Sequence, residues 1–74
     1  MFINDINAIA GIKRITRAEI ARKTDATPQN LSRVLNREYI KDIDAREIFK
    51  ALNVNASITY TDASTGNVIY KSEL

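Results

Sequence analysis

The sequence predicts an α+β fold, four short helices followed by a C-terminal β-hairpin. Three observations predict it. Apolar residues recur at three- and four-residue steps as far as residue 53, the period of helices with one buried face. Helix-start signals, a hydroxyl followed by a carboxylate or a Thr-Pro pair, divide that region into segments. From Ala56 the period changes to two, with β-branched and aromatic residues around an Asp/Gly-containing turn. At 74 residues the chain is expected to be a single domain, residues 1–54 helical and 55–74 hairpin.

Ile3, Ile6, Ile9 and Ala10 form the stripe of a first helix over about Asn4–Ala10, with Gly11 as its stop. Met1-Phe2-Ile3 is alternatively a short strand. Thr16-Arg17-Ala18-Glu19 has the capping-box pattern, so a second helix starts at Arg17, turns Ile20 and Ala21 inward and runs to about Thr24. Asp25-Ala26 interrupts. Thr27 offers an N-cap hydroxyl, and the fixed φ of Pro28 suits the first helical turn, so a third helix starts there. Leu31, Val34 and Leu35 are its buried stripe, leaving Gln29, Asn30, Ser32, Arg33, Asn36 and Arg37 on other faces. After a polar stretch over Arg37–Lys41, Asp44-Ala45-Arg46-Glu47 is a second capping-box-like start. Ile48, Phe49 and Leu52 then make the apolar face of a fourth helix ending near Asn53. Ser57–Thr61 alternates as a strand, Asp62–Asn67 is turn chemistry, and Val68-Ile69-Tyr70 resumes the strand, Val68 and Tyr70 on one face and Ile69 on the other.

The composition, 45% hydrophobic and 27% charged, is that of a soluble globular domain. A core this small supplies only about 3–5 kcal/mol, so association with a second copy is expected. There is no cysteine and no histidine, which removes disulfides, the usual zinc and iron ligand sets, and Cys-His or Ser-His-Asp nucleophile systems. No enzymatic activity, cofactor, metal or small-molecule substrate is expected. Asp42, Asp44 and Glu47 are accounted for by the helix dipole, and Gly11 and Gly66 are isolated, so no glycine-rich phosphate loop exists. No apolar run approaches the ~18–20 residues of a membrane span. The N-terminus lacks the basic start and apolar stretch of a secretory signal. A cytoplasmic protein without a membrane partner, its mature chain the whole chain, is the expectation.

The net charge is only +2, but the halves differ in sign. Residues 1–41 carry eight basic groups against four acidic, +4, and residues 42–74 carry three against five, −2. A charge run alone is equally a solvated face. Its meaning depends on what it accompanies.

It accompanies Arg17–Leu35, which reads as a short helix, a three- to four-residue break and a second short helix, with small Ala21 where the two must approach closely. That is the helix-turn-helix layout. Thr16-Arg17-Ala18-Glu19-Ile20-Ala21-Arg22-Lys23 with Thr27-Pro28-Gln29-Asn30-Leu31-Ser32-Arg33-Val34-Leu35-Asn36 resembles the core of the lambda-repressor/Cro family. Asp44–Val54, especially Ala51-Leu52-Asn53-Val54, is similar to that family's following helix, and Ile58–Glu73 looks like the C-terminal hairpin of phage Cro proteins. The resemblance implies a repressor or regulator, plausibly phage-encoded, that binds a palindromic operator in double-stranded DNA as a homodimer. Two departures stand out. Asp25 occupies the turn position where the family usually has glycine, and Pro28 stands where it often has a polar, DNA-contacting residue.

A recognition helix enters the major groove by its N-terminal turn, so Gln29, Asn30 and Arg33 are the candidate base contacts. Gln and Asn can pair with adenine and Arg with guanine. Phosphates need positive charge or exposed donors along the groove walls, which makes Thr16, Arg17, Lys13, Arg14, Thr27, Asn36, Arg37 and Lys41 candidates. Arg22 and Lys23 equally face away. Tyr39, Tyr60 and Tyr70 read as core-edge or hairpin packing. A lone hairpin is marginal in water, so Ile58, Tyr60, Val68, Ile69 and Tyr70 are assigned to dimerisation. The rival reading is an antitoxin-type protein, whose hairpin face masks a partner protein and whose DNA binding serves autoregulation.

Overall fold

A computed structural model describes residues 2–74. The elements run α1 (Ile3–Lys13), α2 (Arg17–Lys23), α3 (Pro28–Leu35), α4 (Asp42–Ala51), β1 (Ser57–Thr61) and β2 (Val68–Glu73). Four helices followed by a two-stranded antiparallel hairpin make the α+β architecture the sequence implied. Helix α2 packs on α3 and α4, and α1 packs on α4.

Helix α1 departs from expectation at both ends. Ile3 is already helical and Phe2 has αR backbone, so Phe2-Ile3 is no strand; Met1 lies outside the described residues. The helix also runs through Gly11 to Lys13 instead of stopping at Gly11. The extra turn brings the Lys13 ammonium to the far end of α4, where it donates to the carbonyls of Leu52 (2.7 Å) and Asn53 (3.4 Å). A cation there satisfies otherwise orphaned carbonyls and complements the helix dipole. Termination falls to Arg14, at φ 55°, with Arg14 N–H bonded to Gly11 O and Ile15 N–H to Ala10 O. This is the Schellman ending, built without glycine.

Two other helices end the same way. After α2, Asp25 takes φ 57° and Ala26 N–H reaches Ala21 O. After α4, Asn53 takes φ 57° and Val54 N–H reaches Phe49 O. The left-handed region disfavours residues with a Cβ, Asp and Asn least. Asp25 therefore supplies the conformation expected of a glycine at that turn. Helix α4 starts at Asp42 with Lys41 as N-cap, three residues before the Asp44 N-cap expected, and Lys41 makes no side-chain cap. The Asp44–Glu47 box is not used. Asp42 and Asp44 instead place two carboxylates in the first turn, favourable at the positive helix end.

The core is formed by Phe2, Ile6, Ile20, Ala21, Leu31, Leu35, Ile40, Ile48, Phe49 and Leu52 with smaller neighbours, all buried. Phe2 meets Phe49 edge to face, ring centroids 6.1 Å apart. Ile9, Val54, Ala56, Ile58 and Leu74 pack at its margin.

Beyond Ile58 the hairpin leaves the helices. The Cα radius of gyration is 14.0 Å, with extents of 44 × 23 × 18 Å, against about 11 Å for a compact chain of this length. Strand β2 extends to Glu73, past the Tyr70 end expected. Ser57 pairs with Glu73, Ile58 with Ser72, Thr59 with Lys71 and Tyr60 with Tyr70, but Thr61 pairs with Val68, leaving Ile69 as a bulge. The bulge breaks the alternation assumed for Val68, Ile69 and Tyr70. In the regular ladder, Ile58, Tyr60, Tyr70 and Ser72 share one face, and Ser57, Thr59, Lys71 and Glu73 the other. At the tip, Asp62 N–H bonds Asn67 O and Gly66, at φ 78°, bonds Asp62 O.

Candidate nucleic-acid interface

Helix α3 is held at both ends by local chemistry. Thr27 Oγ1 accepts from the Asn30 N–H at 3.2 Å, and Pro28 occupies the first turn where no N–H is needed. Leu31 and Leu35 are buried and Val34 half-buried, so one stripe anchors the helix against α2, where buried Ala21 permits close approach. The opposite surface carries Gln29, Asn30 and Arg33, all exposed. The structure thus brings the three candidate base contacts together on the first two turns of one helix. Asn30 Oδ1 accepts from Arg33 Nη2 at 3.0 Å, which restrains the guanidinium before any partner arrives.

Helix α2 supplies the adjoining wall. Thr16 is its N-cap, with the reciprocal capping box complete: Glu19 N–H donates to Thr16 Oγ1 at 3.2 Å and Thr16 N–H to Glu19 Oε1 at 3.4 Å. The Thr16 hydroxyl also donates to that carboxylate at 3.3 Å. What α2 offers an anion is therefore its first-turn backbone and Arg17, more than the hydroxyl. Arg17 Nη1 donates to Ser32 Oγ at 3.3 Å, bridging the start of α2 to the exposed side of α3. Asn36 and Arg37, both exposed, follow α3 directly, with Asn36 N–H bonded to Ser32 O and Arg37 N–H to Val34 O. Lys41 is exposed at the start of α4, and Arg14 at the end of α1. Lys13 is placed differently from the others, committed to the α4 carbonyls.

The flank of α3 nearest α4 has the opposite polarity. A shallow depression there is lined by Thr24, Asn30, Leu31, Val34, Ile48, Asp44 and Glu47. Two carboxylates make that side repulsive to a polyanion, so the anion-attracting surface is bounded by Arg17, Gln29, Arg33 and Arg37, with Asn30 on the border.

The proposed dimerisation residues do not form one buried set. Ile58 is half-buried against the core, whereas Tyr60, Val68, Ile69 and Tyr70 are 52–67% exposed. Tyr60 and Tyr70 face each other across the strands, ring centroids 6.2 Å apart. Tyr39, expected to pack at the core edge, is instead 70% exposed. The signal was present in Tyr39-Ile40-Lys41, where an apolar residue between two polar ones predicts out-in-out placement. No family model, curated protein or solved structure was found to match the chain.

Proposed function

We propose that this protein is a sequence-specific DNA-binding transcriptional regulator of the lambda-repressor/Cro type, a repressor that binds a palindromic operator as a homodimer. Helix α3 enters the major groove, with Gln29, Asn30 and Arg33 reading bases. Thr16, Arg17, Thr27, Asn36, Arg37 and Lys41, with Arg14 at the periphery, meet phosphates. The observation that carries the reading is that α3 is anchored by Leu31 and Leu35 while its opposite surface is polar, exposed and flanked by cations. Any amphipathic surface helix divides its faces in this way; what favours a groove-reading helix is that Gln29, Asn30 and Arg33 fall on its first two turns and that Arg17 is bridged onto its exposed side through Ser32.

Dimerisation is assigned to the hairpin, whose exposed Tyr60, Val68, Ile69 and Tyr70 extend beyond what the chain's own helices cover. The same exposed hairpin favours the second reading, an antitoxin-type protein whose hairpin holds a different partner. The two part on composition of the purified species: a regulator of the first kind is a homodimer that binds its operator alone. Selection of binding sites from a random duplex pool tests the function. An approximate palindrome with half-sites about 34 Å apart is the expected result; recovery of no sequence preference would contradict it.

A further inference from the structure

The α3–α4 connection contains a residue that the reading above leaves without a task. Ile40 is buried, 6% exposed, and pins the loop to the core. Its neighbours are consequently turned outward: Tyr39 is 70% exposed and Lys41 is exposed on extended backbone, φ −68° and ψ 147°. Tyr39 and Lys41 line the same open depression, so the phenol and the ammonium share a face. Arg37, exposed two residues earlier, and Asn36 complete the depression with them; Glu38 is the single acid there.

An aromatic ring held in water between two cations is poorly suited to an apolar protein partner, because covering the ring would desolvate Arg37 and Lys41 as well. It suits a partner that brings its own negative charge. A tyrosine hydroxyl donates well to phosphate oxygen, and such neutral donors belong to the backbone-positioning contacts of DNA-binding proteins. We infer that Tyr39 is a DNA-contacting residue, its phenol donating to a backbone phosphate that Arg37 and Lys41 attract. This rests on the DNA-binding reading and adds to it a contact that is uncharged and sequence-independent. Ile43, 62% exposed in the first turn of α4, is the neighbour that would favour a protein partner instead.

The test is Tyr39→Phe, which removes only the hydroxyl, measured by fluorescence anisotropy on a labelled random-sequence duplex over a series of salt concentrations. Affinity is expected to fall about fivefold to tenfold per half-site at every salt, with the dependence on log salt unchanged because no charge is lost. Arg37→Ala and Lys41→Ala should each make that slope shallower by about 1 per subunit, about 2 for the dimer. Wild-type affinity in Tyr39→Phe overturns the inference while leaving DNA binding intact. A fall accompanied by a shallower slope also overturns it, since Tyr39 would then act by arranging the cations. Absence of binding by the wild-type protein overturns the functional reading itself. Loss of self-association in Tyr39→Ala, with its circular dichroism unchanged, would overturn the inference and assign the residue to a protein contact.

Discussion

Replacing Arg33 with alanine is the perturbation whose consequence follows most directly from the geometry of α3. Its guanidinium is exposed, yet one nitrogen is held by Asn30 Oδ1 at 3.0 Å, so the fork is presented in a restricted orientation and retains donors for a base edge. A good bidentate contact contributes about 1–3 kcal/mol of discrimination. A symmetric dimer uses it twice, so Arg33→Ala should cost about 2–6 kcal/mol on the operator, roughly 30-fold to 10⁴-fold in affinity. On random duplex, where nothing is read, the loss should stay below about threefold. Asn30→Ala removes the restraint, and a double-mutant cycle should show Arg33→Ala costing about 0.5–1.5 kcal/mol less in that background. The assay is anisotropy against the selected operator and a random duplex in one buffer. Equal losses on both duplexes would make Arg33 a phosphate contact, and zero coupling would show that Asn30 does not orient it.

Asp25→Gly should stabilise the fold by about 0.5–1 kcal/mol, because glycine removes the Cβ penalty at φ 57° and keeps part of that gain after its own entropic cost. Thermal melting should shift upward by about 2–8 °C; a lower midpoint would show that Asp25 makes a compensating contact. Changing Ile69 and Tyr70, 67% and 62% exposed, together to glutamate should give a folded monomer that binds half-sites weakly, and a persistent dimer in the ultracentrifuge would move the interface elsewhere. The Asp62 carboxyl is held below the usual carboxylate range by hydrogen bonds from the Ser64 hydroxyl and then the Ser64 and Thr65 amides. A depressed folded-state value means that the turn's contribution is present above the unfolded-state pKa and is lost as pH falls through the folded one. The Ser64 and Thr65 amide resonances should therefore titrate with a midpoint below that of an ordinary aspartate. Midpoints at or above the ordinary value would remove the assigned cause.

What was legible in the sequence was local. The Thr16–Glu19 box and the Thr27-Pro28 start lie within one helical turn of the amides they serve, and α2 and α3 begin at the residues those signals marked. The change of period at residue 56 likewise announced the hairpin. The misplaced boundaries belong to long-range chemistry. Gly11 is a plausible stop until Lys13 is seen to reach Leu52, 39 residues away, and the Asp44 box goes unused in a helix that begins at Asp42, directly after buried Ile40 and Lys41. A bulge at Ile69 depends on the partner strand and leaves no mark on its own strand. The candidate site was legible as a set on α3, because helical spacing alone separates Leu31 and Leu35 from Gln29, Asn30 and Arg33. The different employment of Lys13 and the exposure of Tyr39 required the tertiary structure.

The central claim is that the cationic surface around α3 binds duplex DNA, and the salt dependence of that binding tests it most directly. A dimer making about 6–10 phosphate contacts should lose about 10³–10⁵ in affinity for random duplex between roughly 50 and 200 mM salt, because each neutralised phosphate releases counterions. A steep linear fall of log affinity with log salt is the predicted result. Binding that is indifferent to salt, or no binding to any duplex at low salt, would contradict it.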